Sequence, residues 1–187
     1  GSGASRTVTI TPAANQFGTA TITLRVDDGA DIGESTFVVN VSAQNDNPTV
    51  TSVPATQTVL EDSVGTGALG FTVGDIEDVA GTLTVTALSS DPLLFASITP
   101  GGSGASRTVT LVPAANRFGS ATITLRATDS GTAFGEATFI VNVTAVNDAP
   151  AMTVTDNTLT HAAATTGAQS VPGFASVTSF GPLDSGQ

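Results

Sequence analysis

A chain of 187 residues with 40% hydrophobic residues and 20 glycines has material for one full core and further segments, and without cysteine it has neither disulfide staples nor thiolate metal sites. Sixteen Asp and Glu face five basic residues, all Arg, and a formal net charge of -11 repels phosphate backbones, which sets nucleic acid aside as a partner. With one His and no Cys, Lys or Tyr, a nucleophile beside a positioned base and an orienting group is hard to seat, and the acids that could serve a glycosidase fall in turns and linkers without a pair that the repeats preserve, so the chain reads as non-enzymatic.

In chain order, the opening GSGASRTVTITPAANQFGTATITLR carries period-two alternation, with Ile22, Leu24 and Val26 on one face and Thr21, Thr23 and Arg25 on the other. A closing strand follows in which Phe37, Val39 and Val41 alternate with Val38, Asn40 and Ser42. After Asn45, Asp46 and Asn47 comes a segment with strands of its own, including Leu83, Val85 and Ala87. From Gly102 the opening recurs as GSGASRTVTLVPAANRFGSATITLR, and after one inserted residue near Gly131 the match resumes through Gly33 and Gly135 to the closing strands. Such self-similarity marks a repeat architecture. One whole module therefore runs from about Thr49 to Ala145, residues 1–44 are the later half of a preceding module, and residues 151–187 are the first part of a following one.

Thr, Val and Ala fill these segments, Gly, Pro and Asn clusters such as 113–119 and 129–135 separate them, and no segment has a helical period. The expected fold is all-β, a sandwich of about seven strands per module. Phe71, Leu83, Ile123, Leu125, Phe139 and Val141 are its expected core. No apolar run reaches the roughly 18 residues of a membrane span, and the first residues read as the middle of something larger rather than as a signal segment.

The order LEDS, GDIEDVAGTLTVTA, LVPAANRFGSATITLRATDSG and VNDAP resembles the tandem cadherin-like, immunoglobulin-like repeats of large bacterial surface proteins, over essentially the whole chain. The resemblance implies three units, at 1–48, 49–150 and 151–187. It also implies an exported, adhesive or matrix-forming protein at the cell surface, with calcium where modules meet. Two departures imply fewer ions per joint. Ala43 and Ala145 stand where the family's linker has Asp, and PAAN at Pro12 and Pro113 replaces a mid-module acidic pair.

Calcium takes six to eight oxygen ligands, more than one sandwich loop supplies, so clustered carboxylates are its expected place. Asn45, Asp46 and Asn47 of the linker, with Asp75, Glu77, Asp78 and Asp129, are the candidate ligands of the first joint. Glu61, Asn147 and Asp148 are those of the second. That site is weaker, because Asn47 becomes Ala149 and the segment holding Glu61 and Asp62 is replaced in the next unit by THAA around His161. The plainer alternative is that these Asp and Asn initiate turns and keep an acidic surface soluble. His161 has no second His or Cys and is given no role. The rows of Thr at 7, 9, 11, 21 and 23 read as ordinary exposed strand positions, the acceptor triplets at Asn40 and Asn142 as chance, and the glycines around Gly102 as a turn.

Repetition favours mechanical extension, since each module contacts its neighbours and length grows by copying. A structural spacer or fibre element is therefore expected. The alternative is a glycan- or protein-binding adhesion module, for which nine Phe without Trp or Tyr offer little sugar stacking. The expected partners are neighbouring repeats of the same protein. Because residues 1–44 hold later strands and 151–187 earlier ones, the tail of one copy could also pair with the head of another and build a filament.

Overall fold

The computed structural model describes residues 3–149, 151–154, 170 and 173–179. Among them twelve strands form. The first two, β1 (Gly18–Asp27) and β2 (Ile32–Val41), pair antiparallel over their whole length, from Gly18 opposite Val41 to Asp27 opposite Ile32. Eight more build a two-layer sandwich: β3 (Thr49–Thr51), β4 (Gln57–Leu60), β5 (Leu69–Gly74), β6 (Thr84–Ser89), β7 (Phe95–Ser103), β8 (Ser106–Pro113), β9 (Gly119–Thr128) and β10 (Phe134–Thr144). One sheet has the order β4-β10-β9-β6 and the other β3-β5-β8-β7. Beyond them β11 (Ala151–Val154) pairs antiparallel with β12 (Ala175–Ser179), as β3 pairs with β5.

The core is the meeting of the alternating faces. On β9, Ala121, Ile123, Leu125 and Ala127 are buried while Thr122, Thr124 and Arg126 are not, and β10 contributes Phe139, Val141 and Val143 to the same layer. Phe71 and Val73 of β5 and Val109 and Leu111 of β8 close it from the other sheet. All six core residues expected from the pattern are buried. The one helical piece among the described residues, a 3-10 turn at Pro92–Leu94, is too short to carry a period. The Asp91 side chain caps it by accepting from Leu93 N, and it buries Leu94.

The first copy of the repeat keeps the pairing and loses the burial. Leu24 and Val26 are 44% and 71% exposed, whereas their counterparts Leu125 and Ala127 are fully buried. The physical reason is the absence of a facing layer: among the described residues no second sheet covers β1 and β2. Residues 6–12 match β8 in sequence yet form no strand, since no neighbours like β5 and β7 flank them. His161 lies outside the described residues, as does most of the segment after β11.

Two features set the ends of the sandwich. The edge strand is split: Ser52, at φ 52°, and Pro54, which has no N–H, interrupt it, so that β3 belongs to one sheet and β4 to the other. Unlike the antiparallel strands around it, β4 runs parallel to β10, with Leu60 opposite Thr144. Both strands therefore end at the module's exit. No helix among the described residues is long and apolar enough to cross a membrane.

Candidate metal centre

Strand register brings the first set of acidic residues together at the entry end. Thr49 lies opposite Gly74, so Asp75 follows β5 where the chain enters β3, and β9 ends at Thr128 with Asp129 at the same end. Three bonds cross between segments far apart in sequence. Asn45 Nδ2 donates to Asp129 Oδ2 at 2.7 Å, the Asp46 N–H donates to Glu77 Oε2 at 3.1 Å, and the Ser130 N–H donates to Asp78 Oδ2 at 2.8 Å. The linker, the β5–β6 loop and the β9–β10 turn are thereby tied to one another. Asn47 is exposed and stands at the margin of this network.

Each carboxylate has a local reason for its place. Asp75 Oδ1 accepts from the N–H groups of Glu77 (3.0 Å) and Asp78 (2.8 Å), an Asx turn that folds the loop back. Its other oxygen, Oδ2, is buried with no hydrogen-bond partner. Asp129 is 7% exposed, and its Oδ1 closes the β9–β10 turn by accepting from the Ala133 N–H at 2.8 Å. Hydrogen bonds from the Ser130 backbone and then from its side chain hold the Asp78 carboxyl below the usual carboxylate range, which keeps it ionised into mild acid. No basic side chain answers these acids, because the ion pairs among the described residues, Arg25 with Asp27 and Arg126 with Glu136, lie on exposed strand faces.

At the exit end the parallel pairing of β4 with β10 delivers Glu61 beside the outgoing linker. The Glu61 N–H donates to Thr144 O at 3.0 Å, and Glu61 Oε1 accepts from the Val146 N–H at 2.9 Å. Glu61 is only 2% exposed, and its Oε2 is buried without a hydrogen-bond partner. Asn147 and Asp148 follow directly, with Asn147 Nδ2 donating to Asp148 O at 3.4 Å. In sequence, β12 is followed by Phe180, Gly181, Pro182, Leu183 and Asp184, where β5 is followed by Asp75, Ile76, Glu77 and Asp78.

Among the described residues no three His, Cys, Asp or Glu side chains converge as a ready-made metal cluster. The donors at these ends are instead carboxylates mixed with amides and backbone groups, spread over two or three segments. That donor set suits a hard, flexible, oxygen-seeking cation such as calcium and does not suit zinc. The orphaned oxygens of Asp75 and Glu61 carry the fit, since a buried carboxylate oxygen without a donor is costly until a cation or donor faces it.

Some of the surroundings escape a reading by residue type. A cleft of about 290 Å³ at the entry end is lined by Asn15, Gln16 and Phe17 together with Gln44, Asp46 and Glu77. The upstream wall offers amides there, not acids. One residue is inserted near Gly131 relative to the first copy, and a Cβ on Gly131 would lie 3.1 Å from the Asn45 side chain. That insertion marks the turn in the sequence without disclosing that the Ser130 N–H bonds Asp78.

No protein-family model and no curated protein matches this chain. Solved structures do. A protocadherin gammaB7 cis-dimer structure of extracellular domains 3-6 is similar at 22% identity with a TM-score of 0.50, covering 72% of this chain and 34% of that one. Extracellular cadherin domains 3-6 of protocadherin gamma B2 give 17% identity and a TM-score of 0.50 over 72% of this chain and 33% of that one. Domains 4-9 of the surface layer protein SbsC match at 22% identity and a TM-score of 0.41, over 75% of this chain and 20% of that one. The chain thus spans about a third of the length of the protocadherin chains and a fifth of the surface layer chain. Its fold is an all-β sandwich, cadherin-like and immunoglobulin-like.

Proposed function

We propose that this chain is a run of a structural spacer or fibre in an extracellular bacterial surface or adhesion protein, stiffened by calcium at its joints and without enzymatic activity. Its units are residues 1–48, 49–150 and 151–187. The observation that carries the reading is the buried, partnerless Asp75 Oδ2 inside a network that ties the linker to two loops of the next module. Asn45, Asp46, Asp75, Glu77, Asp78 and Asp129 would hold calcium at the first joint, with Asn47 at its edge. Glu61, Asn147 and Asp148 would hold it more weakly at the second. Bound calcium would offset the mutual repulsion of these acids. The residues themselves set the geometry, because Asp75 folds its loop, Asp129 closes its turn, and Asn45 and Asp46 pin the linker to both. Neighbouring repeats are the partners proposed for the open faces of β1 and β2, and head-to-tail assembly of separate copies would appear as a concentration-dependent sedimentation coefficient.

Calcium should raise the melting temperature of the chain relative to chelator. At about a hundredfold excess over its dissociation constant, one ion bound only by the folded state adds about 2.7 kcal/mol, a shift on the order of 10 °C for a domain this size. Superimposable calorimetric curves in calcium and in chelator would remove calcium from the reading.

Glu61→Gln tests the second joint by the sign of its effect. In chelator the variant removes a buried negative charge while keeping an acceptor for Val146, so its stability should equal or exceed that of the parent chain by up to about 1 kcal/mol. In calcium it should be the less stable of the two. Equal destabilisation in both conditions would make Glu61 a packing residue only.

A further inference from the structure

The first joint's acids sit on a loop that must be held open-handed toward the linker, and the side chain that holds it is basic. Arg107 lies on β8 in alternation with the fully buried Val109 and Leu111, so its side chain starts from the core-facing side at the end of the sandwich. Its Nη2 donates to Ala80 O at 2.9 Å and to Leu83 O at 3.3 Å. These carbonyls bracket the far end of the 75–83 loop, where the Thr82 N–H and hydroxyl both donate to Val79 O at 2.8 Å. The near end is held by the Asx turn of Asp75. Between the two anchors stand Glu77 and Asp78, the side chains that bond the linker and Ser130.

We propose that Arg107 is the positioning residue of the first joint, fixing the 75–83 loop so that Asp75, Glu77 and Asp78 are presented to the linker before any cation arrives. The proposal rests on the calcium reading of that joint. Three observations carry it. First, the guanidinium engages backbone carbonyls and among the described residues is in no ion pair with an acid, so it takes no oxygen from the candidate ligands. Second, its Nε is buried without a partner, which shows a charged group drawn into the interior at a desolvation cost for the sake of two carbonyls. A planar guanidinium can reach both carbonyls from one fixed position, which a lysine ammonium on its flexible stem does less well. Third, the repeat supplies an internal comparison. Arg6 is its counterpart in an identical GASR stretch, lies outside any strand, and donates to the local carbonyl of Gly3. The local sequence alone therefore does not send this arginine to the carbonyls of Ala80 and Leu83; its surroundings in the sandwich do.

The test uses the full 187-residue chain, calcium titration calorimetry, and amide exchange of residues 75–83 in chelator. Arg107→Gln should raise the calcium dissociation constant about tenfold, as expected for losing two charge-assisted hydrogen bonds that order the loop. It should also speed exchange in the loop before calcium is added. R107K, keeping the charge and reaching one carbonyl, should fall between. Val109→Ala serves as the control for general softening: it should lower the melting temperature and leave calcium affinity unchanged. An R107Q variant that binds calcium within about twofold of the parent, or whose loop exchanges as slowly, overturns the proposal. A parent chain that gives a flat titration overturns the joint reading and the positioning role with it, and that result is distinguishable because it appears before any substitution is made.

Discussion

Phe139→Ala is expected to lower the unfolding free energy of the 49–144 sandwich by about 3 to 5 kcal/mol. Phe139 is 5% exposed on β10, opposite Ile123 of β9, and it belongs to the core that includes Val141 and Leu125 of its own sheet and Phe71 of the other. Its removal forfeits the transfer free energy of a phenyl ring and leaves a cavity between two sheets whose backbones are fixed by their ladders. The repeat again provides the control, because Phe37 occupies the same place on β2 and is only partly buried in this chain. Phe37→Ala should cost less than about 1 kcal/mol. Urea denaturation of the two variants with unchanged slopes would give both numbers directly. A Phe139 variant within about 1 kcal/mol of the parent would mean that the inward face of β10 is the other one, since a one-residue slip exchanges the faces.

What the sequence disclosed follows from which interactions are local. Alternation along β9 and β10 assigned Ile123, Leu125, Phe139 and Val141 to one face because a strand's two faces are written in its own residues. The same rule applied to Ile22, Leu24 and Val26 named the apolar face correctly and could not say whether anything covers it. The acids of the entry end were found by type, and register explains why Asn45 reaches Asp129 across 84 positions of sequence. Other features depend on partners remote in the chain. The transfer of the edge strand from one sheet to the other places Glu61 at the exit, and that follows from the parallel register of β4 with β10. Arg107 and Ser130 lie in segments whose pattern does not disclose their partners. Their importance is geometric, and a residue read in isolation as a surface Arg or a turn Ser gives no sign of it.

Gly135→Ala should damage the joint and the module together, by about 3 kcal/mol. Gly135 is the second residue of β10, opposite Ala127, and a Cβ on it would lie 1.9 Å from Pro48 O and 2.9 Å from Pro48 C. Both are backbone atoms, so no rotamer change relieves the overlap, and either the start of β10 or the incoming linker must move by about 1 Å or more to restore contact distances of roughly 3 Å. Pro48 is buried and directly follows Asn45, Asp46 and Asn47. Moving it shifts the linker away from Asp129 and Glu77, whose bonds to Asn45 and Asp46 are 2.7 and 3.1 Å. The substitution should therefore lower the melting temperature in chelator and also shrink the gain that calcium provides. Gly33 is the counterpart in the first copy, and a Cβ added there would meet nothing within 4 Å, so Gly33→Ala should change stability by no more than about 0.5 kcal/mol. Parallel melting of both variants, with and without calcium, separates the two effects. If G135A melted lower but kept the full calcium increment, Pro48 would be a packing contact of β10 with no hold on the joint, and the entry linker would have to be positioned by Asn45 and Asp46 alone.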